Sequence, residues 1–514
     1  MEIWLFIPIS LAVSILLKLV INHLLSTKNS THKLPPGPSP LPILGSSLWL
    51  TTTVFDLESA LRSLHSKFGP LLTLHMGSRP AIFIADRSLA HEALIQNSSI
   101  FADRPPALGM EKINTSDQHT ISSAFYGPTW RLLRRNLTAK VLHPSNIKSY
   151  SHTRKWVVQI LKDRLESEFK ERGRIQVMGH FQYAMFCLLA FMCFGDNLEE
   201  DQIRKIEEVQ RQLLLNFVEF SVFSFWPSVT KVLFRKRWDE YMQIRKNQEN
   251  VLIPLLRSRK AQRDKETDSV LPYVDTLMDL GLPDEKRKLE EEEIVSLLSE
   301  ILNGGTETTA TALQWIMANL VKYPHIQEKL YMEIRRIVGE GEDLIKEDEL
   351  QKMPFLKAVI LEGLRRHPPA HMVVPHAVTE DTVLDKYLIP KNGTVNFMVA
   401  EMGWDSKVWK DPMAFKPERF MGSEYEHEVF DITGSREIKM MPFGLGRRMC
   451  PGHGLAMLHL EYLVANMVWS YEWKGMDGNG VDLSEKLEFS VVMKNPLQAQ
   501  ISPRRRHKLI IDKI

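Results

Sequence analysis

The sequence predicts a mainly α-helical body with a small β portion, preceded by a single N-terminal transmembrane helix. Three observations carry that expectation. Residues 3–17 hold no charge, and the apolar character runs on past Lys18 to Leu25. Between about residues 140 and 370, apolar side chains recur at helical spacing. Strand-like patches are short and confined mainly to residues 71–85 and 382–397.

Taken in order, residues 1–27 form the expected membrane anchor. As a helix, residues 3–25 would be roughly 35 Å long, enough to cross the hydrocarbon core. A cleavable signal peptide is the alternative. Against it, Lys18, Lys28 and Lys33 follow the apolar run, and no small-residue cleavage site is evident. Positive charge on that side leaves the rest of the chain cytosolic. Residues 28–45 read as a charged and proline-rich hinge; Pro35, Pro36, Pro38, Pro40 and Pro42 stiffen it into an extended spacer. Residues 46–514 make one catalytic body with no internal repeat and no visible linker. Within it, two strands flank Gly77 and Pro80, and strands return near residues 382–397.

Composition narrows the class. With 65 Lys+Arg against 63 Asp+Glu, the net charge is +2, which argues against nucleic acid as the main partner. Three cysteines in 514 residues make no disulfide framework and point to a reducing compartment. Cys187 and Cys193 lie in an apolar stretch and read as core. Cys450 sits among glycines and arginines and needs another explanation.

One helix breaks its own pattern. Residues 290–323 begin with four glutamates and stop at Pro324, as a helix should. Its middle reads Asn303-Gly304-Gly305-Thr306-Glu307-Thr308-Thr309. Two mid-helix glycines cost about 1 kcal/mol each relative to alanine. A carboxylate and hydroxyls in a buried helix cost more unless partnered. Local rules failing together mark a site.

The loop Phe443-Gly444-Leu445-Gly446-Arg447-Arg448-Met449-Cys450-Pro451-Gly452 delivers one cysteine towards a helix start, with Pro451 expected as the first helical residue. A helix N-terminus and Arg448 would stabilise the thiolate. The glycines would let backbone amides approach the sulfur. A lone thiolate suits an axial position on haem iron better than zinc, since Cys450 and His453 lack a second ligand pair.

These residues resemble the cytochrome P450 haem signature at every fixed position: Phe443, Gly446, Arg448, Cys450 and Gly452. Glu362-Gly363-Leu364-Arg365 is similar to the family's E-x-x-R, and Pro417-Glu418-Arg419-Phe420 to its P-E-R-F. Gly304 to Thr309 resembles the oxygen-binding stretch, and Trp130 with Arg134 the W-x-x-x-R of the third helix. In wording, residues 126–130 and 313–324 look like plant A-type P450s of the 89A group.

The resemblance implies a P450 fold carrying haem b, with Cys450 as the iron's axial ligand. Trp130, Arg134 and His376 would meet the haem propionates, Arg448 would lie near the haem, and Phe443 and Gly452 would bind the cofactor as part of the signature loop. Trp130 and Arg134, four apart, share a helix face. Glu362, Arg365 and Arg419 would form a buried structural cluster. Glu307 and Thr308 would pass protons to dioxygen. Glu307 stands where aspartate is commoner, and Trp404 where many relatives carry arginine; the sequence explains neither.

The implied reaction inserts one oxygen atom of O2 into an apolar small molecule. NADPH would supply electrons through NADPH–cytochrome P450 reductase, with cytochrome b5 an optional second donor, at the endoplasmic reticulum membrane. The chain shows no dinucleotide or flavin motif of its own. Arg131 and Arg135, turned away from the pair Trp130 and Arg134, are either candidates for docking that partner or ordinary solvated charge. Two other functions stay open: a P450-type isomerase or dehydratase acting on a peroxide, and a non-catalytic haem sensor.

Overall fold

The computed structural model describes residues 33–38, 57–76, 79–195, 198–224, 227–262, 271–339, 342–422, 430–476 and 480–504. The expected anchor, residues 1–27, and most of the hinge lie outside the described residues. The chain divides into two compact units: Met1–Pro105 with Met372–Met402 and Ile432–Met449, and Pro106–His371 with Gly403–Asp431 and Cys450–Ile514.

The first unit holds the β-sheet that the 71–85 pattern predicts. Strands Leu71–Met76 and Arg79–Ile84 pair antiparallel, and Thr394–Phe397 joins the second of them in parallel. Both faces of this sheet are covered, so its strands read as nearly continuous apolar runs. Leu71, Ile82, Ile84, Val395 and Phe397 pack on one side with Leu94, Phe101, Met441 and Leu445. Leu72, Leu74, Ala81 and Phe83 pack on the other with Leu61 of the helix Leu57–Phe68. The described part of the proline-rich segment lies along this unit: Thr73 N donates to Pro36 O at 2.9 Å, and Leu388 N to Lys33 O at 3.0 Å.

The second unit is helical, with small sheets such as Ile175–Gln176, Gln498–Pro503 and Tyr471–Gly475. Its axis is Glu291–Lys322, 32 residues long. Glu290 and Glu293 cap each other's backbone at its start, and Tyr323 ends it as Pro324 opens the next helix. Against it lies Val177–Phe194, the one helix among the described residues long and apolar enough to cross a membrane. Its residues from Tyr183 to Phe194 are buried, Cys187 and Cys193 included, which makes it a core helix.

Candidate functional site

Cys450 opens the last stretch of the second unit, and its environment there is specific. The helix behind it is His453–Ser470 with Gly452 at the N-cap, so the helix starts two residues later than the Pro451 expectation. Pro451 occupies the turn because Cys450 must be held outside the helix, where the Gly452 N–H meets the sulfur. Burial pushes the Cys450 thiol up, while that N–H and the Arg134 guanidinium pull it down. Burial drives the Cys187 thiol up to about 12 although the Tyr183 hydroxyl and Arg164 oppose it. Burial raises Cys193 in the same way. Cys450 alone of the three keeps some exposure.

Arg134 reaches Cys450 from the helix Pro128–Lys140, where Pro128 sets the first turn. Its guanidinium lies 5.9 Å from the ring centroid of Trp130, one turn back. Arg131 and Arg135 turn outward and are exposed.

In the first unit the same loop depends on two glycines. Gly444 (φ +63°) and Gly446 (φ +68°) take the left-handed conformation, and a Cβ on Gly446 would fall 2.1 Å from Leu94 O. That turn aims Arg448 at the 3-10 turn Ile100–Ala102, where its Nε donates to Ala102 O at 2.6 Å. His376 converges on the same turn, Nδ1 to Phe101 O at 2.6 Å. Burial, with Arg104 and Arg448 nearby, pushes its imidazole down to about 3. His376 is therefore a neutral ring that meets the turn, so Arg448 carries the charge. Phe443 is half-buried beside Gly444.

The long helix of the second unit supplies the remaining candidates. Ile301, Gly304 and Thr308 share a face that keeps some exposure, as do Asn303 and Gly305 beside Gly304. The two glycines do different jobs. A Cβ on Gly304 would meet nothing within 4 Å, so this glycine borders open space. A Cβ on Gly305 would strike Leu189 Cδ1 at 2.7 Å, so this one admits the neighbouring core helix. Thr308 Oγ1 donates to Gly304 O at 2.6 Å. Glu307, turned about 100° away from Thr308 around the helix, accepts from Gln182 Nε2 at 2.8 Å. Burial holds its carboxyl above the usual carboxylate range, and Gln182 partly offsets this.

Glu362, Arg365 and Arg419 come together in the same unit. Arg365 lies on the helix Pro354–Arg366 and donates to both Glu362 oxygens, at 2.7 and 2.8 Å. Arg419, on the turn Pro417–Phe420, reaches Glu362 Oε1 at 3.2 Å. Lys416 N donates to that oxygen at 2.7 Å. Glu362 and Arg365 are fully buried, which rules out a surface ion pair.

The cytochrome P450 family profile matches residues 35–502. The chain belongs to the cytochrome P450 family. It is 53% identical over 509 residues to cytochrome P450 89A9 of Arabidopsis thaliana, covering 97% of this chain and 98% of that one. It is 29% identical over 479 residues to pluviatolide synthase of Sinopodophyllum hexandrum, covering 93% and 94%. It is 28% identical over 481 residues to strychnine-11-hydroxylase of Strychnos nux-vomica, covering 92% of each. As a P450 the chain is an oxidoreductase of the monooxygenase class, and the family implies haem. The residues fit that group. Among the described residues no His, Cys, Asp or Glu cluster could hold a bare metal ion. A single thiol met by a backbone N–H and an arginine instead suits a metal that brings its own ring of ligands.

Proposed function

We propose that this P450 inserts one oxygen atom of O2 into an apolar small molecule: a plant specialised metabolite, a pigment catabolite or a lipid-like compound. Electrons come from NADPH through a separate reductase, with cytochrome b5 as an optional donor. The enzyme sits on the endoplasmic reticulum membrane with its body in the cytosol. The observation that carries this reading is Cys450, the one thiol met by both a backbone N–H and an arginine. Cys450 would be the axial ligand of haem b, Trp130, Arg134 and Arg448 would hold its propionates with neutral His376 beside them, and Phe443 and Gly452 would belong to the same haem-binding loop. Bound haem would supply the iron that activates O2 for attack on an unactivated C–H bond. Burial favours the neutral form of Glu307, which suits it to take up and release a proton. Thr308, beside the space at Gly304, hands such a proton on. Of the relatives, strychnine-11-hydroxylase bears a name that supports hydroxylation.

Two variants test this. Cys450→Ala should lose the strongly red-shifted band of the reduced, carbon-monoxide-treated protein that marks thiolate ligation. Thr308→Ala should keep that band and its haem, yet release more hydrogen peroxide per NADPH in the presence of reductase. General acid–base groups contribute about 10²–10⁴-fold, although water substitutes in part. A surviving band overturns the ligand, and unchanged peroxide yield overturns the proton role. A peroxide-rearranging enzyme or a sensor would consume no NADPH-dependent oxygen.

A further inference from the structure

In the second unit a run of buried polar side chains follows the long helix and takes no part in the proposed chemistry. It begins at Arg245 on the helix Arg235–Gln262, whose Nε donates to Glu249 Oε1 at 2.7 Å. Arg245 Nη1 donates to Gln248 Oε1 at 2.8 Å. Gln248 Nε2 donates in turn to Gln210 Oε1 at 2.8 Å and to Ser299 Oγ at 2.9 Å. Gln210, on the helix Glu200–Leu215, gives its own Nε2 to Ser299 Oγ at 3.0 Å. Ser299 Oγ donates back to Val295 O at 2.7 Å. Asn303 ends the run, where its Nδ2 donates to Gln210 Oε1 at 3.1 Å. Arg245, Gln248, Gln210 and Ser299 are buried, whereas Asn303 keeps some exposure. So does Gly304 beside it, where a Cβ would meet nothing within 4 Å.

The direction of these bonds is fixed at the buried end. A guanidinium only donates, so Gln248 must turn its oxygen to Arg245 and its NH2 to Gln210. Gln210 must then present its oxygen, since the opposite orientation would set two NH2 groups against each other. That oxygen holds the NH2 of Asn303. Asn303 Oδ1 is left over: it is open to solvent and accepts no hydrogen bond from a described residue. We propose that Asn303 is a specificity-determining residue whose Oδ1 is held out as an acceptor, and that the substrate is an apolar molecule carrying a hydroxyl or N–H that donates to it. Gln210 and Gln248 are the positioning residues. The inference rests on the reading that oxidation takes place at the space beside Gly304, and it narrows the substrate class. A free asparagine turns its amide to suit either a donor or an acceptor. Here that turn would set Asn303 Oδ1 against Gln210 Oε1, two oxygens with no proton between them, so the amide stays as it is.

The test reads ligand binding to the haem-loaded protein, without reductase, through the Soret shift that an azole nitrogen causes on haem iron. The probes are 4-phenylimidazole and its ortho, meta and para derivatives bearing hydroxyl, methoxy or fluorine, so the three ring positions sample the space around the anchored nitrogen. At one position hydroxyl should bind about 2–10-fold more tightly than both methoxy and fluorine, the range of one net hydrogen bond. Asn303→Leu should erase that preference and leave 4-phenylimidazole itself bound as before. Asn303→Ala repeats the measurement should leucine not pack. Gln210→Glu, which can only accept at the same place, should keep the preference. Gln248→Leu should weaken it without changing the affinity for 4-phenylimidazole, which a merely structural role would not do. If hydroxyl is favoured at no position, or equally in the Asn303 variants, the role of Asn303 is overturned and the haem reading stands. A methoxy preference that depends on Asn303 overturns the polarity, and an unchanged preference in Gln248→Leu overturns the relay. No Soret shift with 4-phenylimidazole overturns the haem site itself, and the inference with it.

Discussion

Glu461 and Glu362 show how one side-chain type meets two fates. Glu362 is fully buried but accepts four hydrogen bonds from Arg365, Arg419 and Lys416. Glu461, on His453–Ser470, is pushed up to about 7 by burial, with only the more distant Lys357 opposing. A carboxyl with a folded value above its unfolded one binds its proton more tightly in the fold. Its contribution is therefore most favourable below the unfolded value of about 4.5 and is lost as pH rises to about 7. Glu461→Gln should raise the unfolding midpoint at pH 8 and leave it nearly unchanged near pH 4. A shift of this size sets a ceiling of about 3 kcal/mol. A pH-independent effect in thermal melts would refute it. At this scale much of the site was legible in sequence, because Cys450 among glycines and Glu307 in a helix break local rules. Trp404 was not. Its Nε1 donates to Arg366 O at 3.0 Å, and its ring lies 5.4 Å from the Arg366 guanidinium and edge-on to His371. Those partners lie more than thirty residues away, where no local pattern reaches.

Helix Pro354–Arg366 and the turn Pro417–Phe420 are held as one piece through Glu362. Arg365 adds bonds to Gly403 O at 2.8 Å and Ala414 O at 3.2 Å. Arg419 donates to Lys410 O, and to Asp411 O at 2.7 Å. The arginines thus tie backbone carbonyls that have no strand or helix to satisfy them. Glu362→Gln would leave two guanidinium groups facing a neutral amide. Breaking a buried pair costs about 3–5 kcal/mol, a large share of typical stability. The variant should express with little haem and a lowered unfolding midpoint. A stable, haem-replete but inactive protein would assign Glu362 to the chemistry instead. The pairing of Glu362 with Arg365 could be read from their spacing, whereas their burial was legible only through the family resemblance. Gly304 and Gly305 are adjacent in sequence yet separated in purpose by where Leu189 happens to pack.

For the molecule as a whole, the proposed seat on the membrane calls for a surface that suits it. In sequence, the aromatics of residues 217–226 suit a membrane surface. Phe220 and Phe223 are instead buried against Met110 and Tyr241, and Phe225 and Trp226 lie outside the described residues. Aromatic content could not tell a core cluster from a surface one. The exposed apolar surface falls on the next helix, Pro227–Leu233, and the residue after it: Val229, Val232, Leu233 and Phe234, with Leu233 at 70% exposure. Lys231, Arg235, Lys236 and Arg237 lie within three residues of it in sequence. Apolar side chains with cations close by suit the headgroup boundary of an anionic leaflet. Each large apolar side chain transferred there contributes about 1.5–3 kcal/mol at most, and each cation near the surface about 1 kcal/mol. The patch alone is thus strong enough for reversible binding. A protein lacking residues 1–32 should still sediment with vesicles containing phosphatidylserine, and lose that binding in high salt. Changing Val232 and Leu233 to serine in the truncated protein should abolish the remaining binding without changing haem content. Binding of the truncated protein that ignores both salt and these two substitutions would place the contact elsewhere.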